Sequence, residues 1–267
     1  METTVYNVRR KTYIDGTQQF MFYSNVRAKG FTEEKKKTKK GKGNRQRSAE
    51  EARKRAIQKV YDLAKSNKWD YFITLTLNKQ YVNRFDYDSC CALIKLFTKK
   101  LRDRKLRYLI VPEQHENGAW HFHGLVQGRL PVVPAVTAAG NLILDDKGRQ
   151  IYNIDIFEYG FTTATSIDDS TKAAAYCAKY VTKDDAVPFG KKRYWASRGL
   201  NVPEVAYHLA EDDELTANLC QLYNQADFVK VTETQYGRFE LIEIRGKGDK
   251  GENPSIYPSK QNKKIGE

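Results

Sequence analysis

The sequence is poor in several things. No run of about 18 apolar residues exists, so no segment reads as a membrane-spanning helix. The opening stretch METTVYNVRRKTYIDG lacks the apolar core of a secretory signal, and a cytoplasmic protein of a bacterial host cell, with no membrane partner, is expected. Cysteine is scarce: four residues, Cys90, Cys91, Cys177 and Cys220, with no C-x-x-C pair and no metal-finger spacing. They are expected to be reduced core residues rather than a disulfide framework. Acidic residues are also in deficit. Lys and Arg number 46 against 33 Asp and Glu, a net charge of +13, with an isoelectric point near 9.4. A balance of that sign favours an acidic partner, and nucleic acid is the commonest. Hydrophobic residues at 40% of 267 are enough to bury a core without covalent staples.

What is present reads as alternating strands and helices. Residues 3–13 and 18–27 carry β-formers around Asp15-Gly16, which predicts a hairpin. Residues 27–47 hold ten Lys or Arg against two Glu, with no large apolar residue after Phe31, and read as a flexible basic arm. The arm contains no phosphate-cradling loop, because GKGNRQRS lacks the required Gly-Lys-Ser/Thr spacing. Ser48-Ala49-Glu50-Glu51 is a capping box that predicts a helix to about Ser66. Trp69–Leu77 is a strand. A second helix is expected over Asp86–Arg104, its Cys90, Ile94, Phe97 and Leu101 recurring at helical spacing. Strands follow at Leu106–Pro112, Trp120–Gln127 and Tyr152–Ile167, with 131–150 as an insertion. A further helix is expected from about Asp168 to Lys183, and a hairpin over 227–245. The expected class is α+β, helices packed on an antiparallel β-sheet. The expected partition is 1–47 hairpin and basic arm, 48–205 central domain, 206–245 helix and hairpin, and 246–267 disordered tail.

Two groups of residues carry chemistry. Three of the four histidines, His115, His121 and His123, fall within nine residues. On a strand His121 and His123 face the same way, about 6–7 Å apart, and can converge on one divalent ion. Glu116-Asn117-Gly118 fits a three-residue hairpin loop, a register that sets Glu113 opposite His121; a two-residue turn would bring Gln114 there instead. Glu113 is preferred as third ligand because an anionic oxygen compensates a divalent cation better than an amide does. His115 shares this face as a possible outer ligand. Mg²⁺ or Mn²⁺ suits a phosphate substrate better than Zn²⁺. The second group is Ala175–Lys183, AYCAKYVTK. On a helix Tyr176 and Tyr180 share a face with Lys179 and Lys183, while Ala174, Ala178 and Val181 can pack. Two phenols beside two ammoniums make a poor core pattern and a good way to present oxygen nucleophiles to a phosphodiester.

Together these stretches resemble the HUH endonucleases, in particular the rolling-circle replication initiators (Rep proteins) of small circular phages and plasmids. FITLTL (Phe72–Leu77) looks like the first motif, PEQHENGAWHFHGL (Pro112–Leu125) the second, and YCAKYVTK (Tyr176–Lys183) the third in its two-tyrosine form. Tyr159-Gly160-Phe161 and Arg193–Leu200 agree as lesser features, and the resemblance covers about residues 69–200. It implies a HUH nuclease sandwich, ferredoxin- or RRM-like, with His121, His123 and Glu113 holding Mg²⁺ or Mn²⁺. Tyr176 would attack a phosphate of single-stranded origin DNA, leaving a 3′-OH and a 5′-phosphotyrosine. Tyr180 would be the second nucleophile, and Lys179 would orient the metal or stabilise phosphate charge. No helicase domain follows, so a host helicase, polymerase and single-strand-binding protein are the implied partners. A transposase or mobilisation relaxase of the same superfamily would use identical chemistry. A non-catalytic single-strand-binding protein would use only the charge and the aromatics.

Overall fold

The computed structural model describes residues 3–30, 45–167, 177, 187–235 and 237–246. The chain is α+β, with two antiparallel sheets of five and seven strands and three helices among the described residues. No described helix is long and apolar enough to cross a membrane. Two compact units divide the chain.

The first unit is built from both ends of the sequence. Strands β1 (Thr4–Thr12) and β2 (Gln18–Lys29) form the expected hairpin. Its turn is fixed by the Asp15 carboxylate, which accepts from the Thr17 amide at 2.9 Å and the Thr17 hydroxyl at 2.9 Å. A strand at Glu204–His208 (β10) pairs with β1, and the C-terminal hairpin, β11 (Phe228–Thr234) and β12 (Gly237–Ile244), pairs with β2. Val8, Phe22 and Ile242 form its core, with Leu219 and Leu222 of helix α3 (Asp212–Gln225) against them.

The second unit, Arg45–Asn201 among the described residues, carries the candidate site. Its sheet has the order β6-β7-β8-β3-β5-β4-β9. The long strands are β3 (Tyr71–Leu77), β4 (Arg107–Gln114), β5 (Trp120–Gln127) and β8 (Gly160–Ser166); β6 (Val132–Pro134), β7 (Tyr152–Ile154) and β9 (Trp195–Ala196) are short edge pieces. Helix α2 (Tyr87–Asp103) starts at an Asp86 cap whose side chain accepts from the Ser89 amide at 2.9 Å. Its Cys90, Ile94, Phe97 and Leu101 are fully buried against Ile73, Leu75, Phe122 and Val126. Helix α1 (Arg45–Lys65) contributes Val60, Leu63 and Ala64 to a second cluster with Trp69, Leu109, Val111 and Leu125. Those partners are alternate residues of β4 and β5, so the two clusters occupy opposite faces of the sheet.

Several expectations shift. Helix α1 begins at Arg45, ahead of the Ser48 capping box, and Arg47 pairs with Glu51 one turn on at 3.0 Å. The basic arm expected over 27–47 therefore loses both ends to regular structure, residues 27–29 to β2 and 45–47 to α1; residues 31–44 lie outside the described residues. So do 247–267 and all of the expected helix 168–183 except Cys177. Cys90, Cys91 and Cys177 are buried as expected, but Cys220 is exposed. It lies on α3, a helix that packs through Leu219 and Leu222.

Gly124 of β5 separates His123 from Leu125 at the centre of the sheet. A Cβ there would meet Ile110 Cγ1 and the Leu109 carbonyl oxygen, both at 2.9 Å, and Ile73 Cγ1 at 3.3 Å. Gly124→Ala is expected to destabilise the fold by about 1–3 kcal/mol, as overpacking of a tight core does. Urea unfolding would show a lower midpoint at unchanged slope.

Candidate functional site

The β4–β5 turn fixes which side chains share a face. The His115 amide donates to the Ala119 carbonyl at 2.8 Å and the Gly118 amide to the His115 carbonyl at 2.8 Å, closing a three-residue loop. Gly118 sits at φ +85, the left-handed conformation that this loop requires and that glycine accepts without steric cost. The register follows: Glu113 stands opposite His121 and Gln114 opposite Trp120. Gln114 is tied back to the turn, its side-chain amide donating to the Gly118 carbonyl at 3.0 Å. Glu113, not Gln114, therefore shares the face of the two histidines.

Strand pairing extends this face into a lattice. One row across the sheet reads Phe161, Thr76, His121, Glu113, and the next reads Thr163, Thr74, His123, Val111. Each histidine has a threonine beside it on β3. Thr74 Oγ1 lies 3.1 Å from His123 Nδ1, and Thr76 Oγ1 lies 3.3 Å from His121 Nδ1. The hydroxyls engage Nδ1 on both rings and so direct Nε2 of each away from β3. Fixing one ring nitrogen in this way orients the other for a ligand. Phe72 stacks on His123 with centroids 6.0 Å apart, and His115 stacks on His121 at 5.2 Å.

The electrostatics favour a neutral imidazole at His121. Burial first, then the neighbouring His115 and His123, lower its pKa below the ordinary 6.5. A neutral ring is the form that binds a metal. His123 is 7% exposed, and its Nε2 lies 2.7 Å from Glu113 Oε2. Among the described residues no three His, Cys, Asp or Glu side chains already stand in metal-holding geometry; Glu113 is closed on His123 instead. The donor set is nevertheless of the right kind: two imidazoles and a carboxylate on one face, leaving positions open for substrate oxygens.

The tyrosine segment bears on this face through one residue. Cys177 is fully buried in the cluster of Val60, Trp69, Leu109, Val111 and Leu125, and burial pushes its thiol pKa up. Leu109, Val111 and Leu125 are the apolar continuation of the Glu113 and His123 face. Tyr176, Lys179 and Tyr180 lie outside the described residues.

Two features of the site escaped sequence reasoning. The hydroxyl roles of Thr74 and Thr76 depend on pairing between β3 and β5, strands some fifty positions apart in the chain, although their alternation within FITLTL was visible. Phe161 is 72% exposed beside Thr76 on the histidine face. Its exposure on a strand could not be read from an isolated Tyr-Gly-Phe, yet it offers a bare ring on which a base can stack.

Comparison with known proteins adds one finding. No curated protein and no solved structure matches this chain. The sequence model of one family, the ORF2-type replication-associated proteins, matches residues 70–185, a span that contains both site histidines, their threonines, Glu113 and the whole of the Tyr176–Tyr180 segment.

Proposed function

We propose that this chain initiates rolling-circle replication as a two-tyrosine HUH endonuclease that nicks and rejoins single-stranded origin DNA. The observation that carries the reading is the single face shared by Glu113, His121 and His123, continued by the cluster that buries Cys177. The replication-associated family match over residues 70–185 supports the biological role.

On this reading His121 and His123 through Nε2, with the Glu113 carboxylate, hold a divalent ion. Mg²⁺ or Mn²⁺ so bound polarises the scissile phosphate as a Lewis acid. Thr74 and Thr76 are positioning residues that hold the rings. The Tyr176 phenol oxygen attacks phosphorus, the P–O3′ bond breaks, the 3′ oxygen leaves and takes up a proton, and the phenol proton passes to solvent. A 5′-phosphotyrosine and a free 3′-OH result. The phosphodiester energy is kept in that linkage, so attack by a later 3′-OH reseals DNA without ATP. Lys179 stabilises the phenolate and the phosphate charge, and Tyr180 is the nucleophile for the second cut. Exposed Phe161 lies beside the site where an unpaired base of the substrate can stack. Strand separation and extension are assigned to a host helicase, polymerase and single-strand-binding protein in the bacterial cytoplasm.

The test uses the full chain, Mn²⁺ and single-stranded oligonucleotides tiled across the DNA that encodes it, resolved on a denaturing gel. A covalent protein–DNA band is expected with one oligonucleotide. A non-catalytic binder would give none under denaturation. The positioning role has its own readout. Thr74→Val and Thr76→Val keep the side-chain shape and remove the hydroxyl, and the pair is expected to weaken Mn²⁺ affinity by about 10–100-fold. Adduct yield should recover at saturating Mn²⁺; a yield that stays low there would assign the threonines another role.

A further inference from the structure

The opposite face of the same unit holds a second basic site. A surface cavity of about 780 Å³ opens between the C-terminal half of α2, the start of β4 and the segment around β9. Six cations line it: Lys95, Arg102, Lys105, Arg107, Lys192 and Arg198, with no Asp or Glu in the lining. Tyr108 and Trp195, which also line it, belong to the core cluster on the α2 side of the sheet, whereas Glu113 and Val111 of the same strand face the histidines. Arg107 and Glu113 are the first and seventh residues of β4, so the two sites also lie about 20 Å apart along the strand.

The cations of this cavity are under-compensated. Arg102 finds only hydroxyls, Tyr108 at 3.0 Å and Thr98 at 3.5 Å. Lys192 stands 5.7 Å over the Trp195 ring, and burial together with Lys95 and Arg102 pushes its ammonium pKa below the ordinary lysine value. Converging like charges with no internal counterion are held at a cost that a bound anion removes. A second observation points the same way. Trp195 is 3% exposed, yet its indole Nε1 has no hydrogen-bond partner among the described residues. A buried N–H donor is rarely left unsatisfied, and an acceptor oxygen in the cavity would satisfy it.

We propose that this cavity binds phosphates of the DNA backbone, holding a stretch of strand on the side of the sheet away from the histidines. Lys95 and Arg102 lie seven positions apart on α2, two turns or about 10 Å, so the cations are spread along a track rather than gathered round one ion. Lys192 and Arg198 extend that track across the β9 segment. Backbone binding of this kind adds affinity without reading sequence, and adds it to whatever the histidine face contributes. The inference rests on the proposed function only for the ligand being DNA; it needs no nicking.

The test is binding of a fluorescein-labelled single-stranded oligonucleotide to the full chain without divalent metal, across a salt series. Joint Lys192→Ala and Arg198→Ala is expected to raise Kd by roughly tenfold near physiological salt, and to flatten the slope of log K against log salt by about 0.7 for each phosphate-neutralising cation removed. Arg107→Gln, at an exposed strand position, is the second variant and should flatten the slope by the share of one cation; circular dichroism melts check that each variant folds. Adduct yield at saturating DNA should be unchanged. Unaltered Kd and slope in both variants would overturn the proposal. So would displacement of bound inorganic triphosphate by neither oligonucleotide nor salt, which would mark a free polyphosphate site. A chain that forms no adduct, yet shows the flattened slope in these variants, would refute nicking and leave this site standing.

Discussion

Tyr176→Phe is expected to abolish the covalent DNA adduct, lowering its rate of formation by roughly three orders of magnitude or more, because no other oxygen of the side chain can take its place. The change removes one hydroxyl and keeps the ring, so the packing of the neighbouring Cys177, fully buried beside Leu109 and Leu125, has no reason to alter. Loss of adduct with unchanged melting would therefore report chemistry rather than folding. The control is Tyr180→Phe. It should still form the first adduct and should fail at the second transfer, seen as linear rather than circular product. If Tyr176→Phe forms adduct at the normal rate while Tyr180→Phe does not, the two roles are exchanged. If neither change matters, the tyrosines are structural and nucleophilic catalysis by this segment is wrong.

The elements that local pattern specifies were legible. Alternation in FITLTL and WHFHGL, the 90-94-97-101 spacing of α2 and its Asp86 cap each depend on residues near in sequence, and each forms where that chemistry predicts. The three-residue turn was also local, and it carried the register that puts Glu113 opposite His121. What stayed hidden depends on distant pairings. β2 pairs with β12 across more than two hundred positions, and nothing in either strand names its partner. β9 is two residues long and exists because Trp195 and Ala196 meet Ile110 and Leu109. Pro112 can lie in β4 because that edge is paired only at Leu109 and Ile110, so its missing N–H breaks no ladder. The basic cavity is hidden for the same reason: its cations come from α2, β4 and the β9 segment, and only the fold brings them together. Cys177 reads as one letter in a helix pattern built on Ala174, Ala178 and Val181, although it continues their stripe. Its burial shows on which face of the sheet this position packs.

The joint change His121→Ala and His123→Ala should remove metal dependence and with it at least about a thousandfold of adduct formation, since two of three ligands are gone. The fold should survive. His121 is half-buried, and charging it is already disfavoured, so its removal relieves a small cost. Replacing His123 leaves Glu113 without its 2.7 Å partner at a partly exposed position, which costs about 1–2 kcal/mol. Thermal unfolding separates the two effects. Mn²⁺ should raise the wild-type Tm, because an ion that binds only the folded chain stabilises it by RT ln(1 + [L]/Kd), and should leave the variant unmoved. The pH dependence has a definite sign. His121 takes up a proton less readily folded than unfolded, so stability falls as pH drops below about 6.5, where the unfolded chain gains the proton first. The His121→Ala chain should lose less stability than wild type between about pH 7 and about pH 5. Adduct formation that persists in EDTA, or a Mn²⁺-induced Tm shift that survives in the double variant, would place the ion elsewhere and leave the histidine face without the role assigned to it.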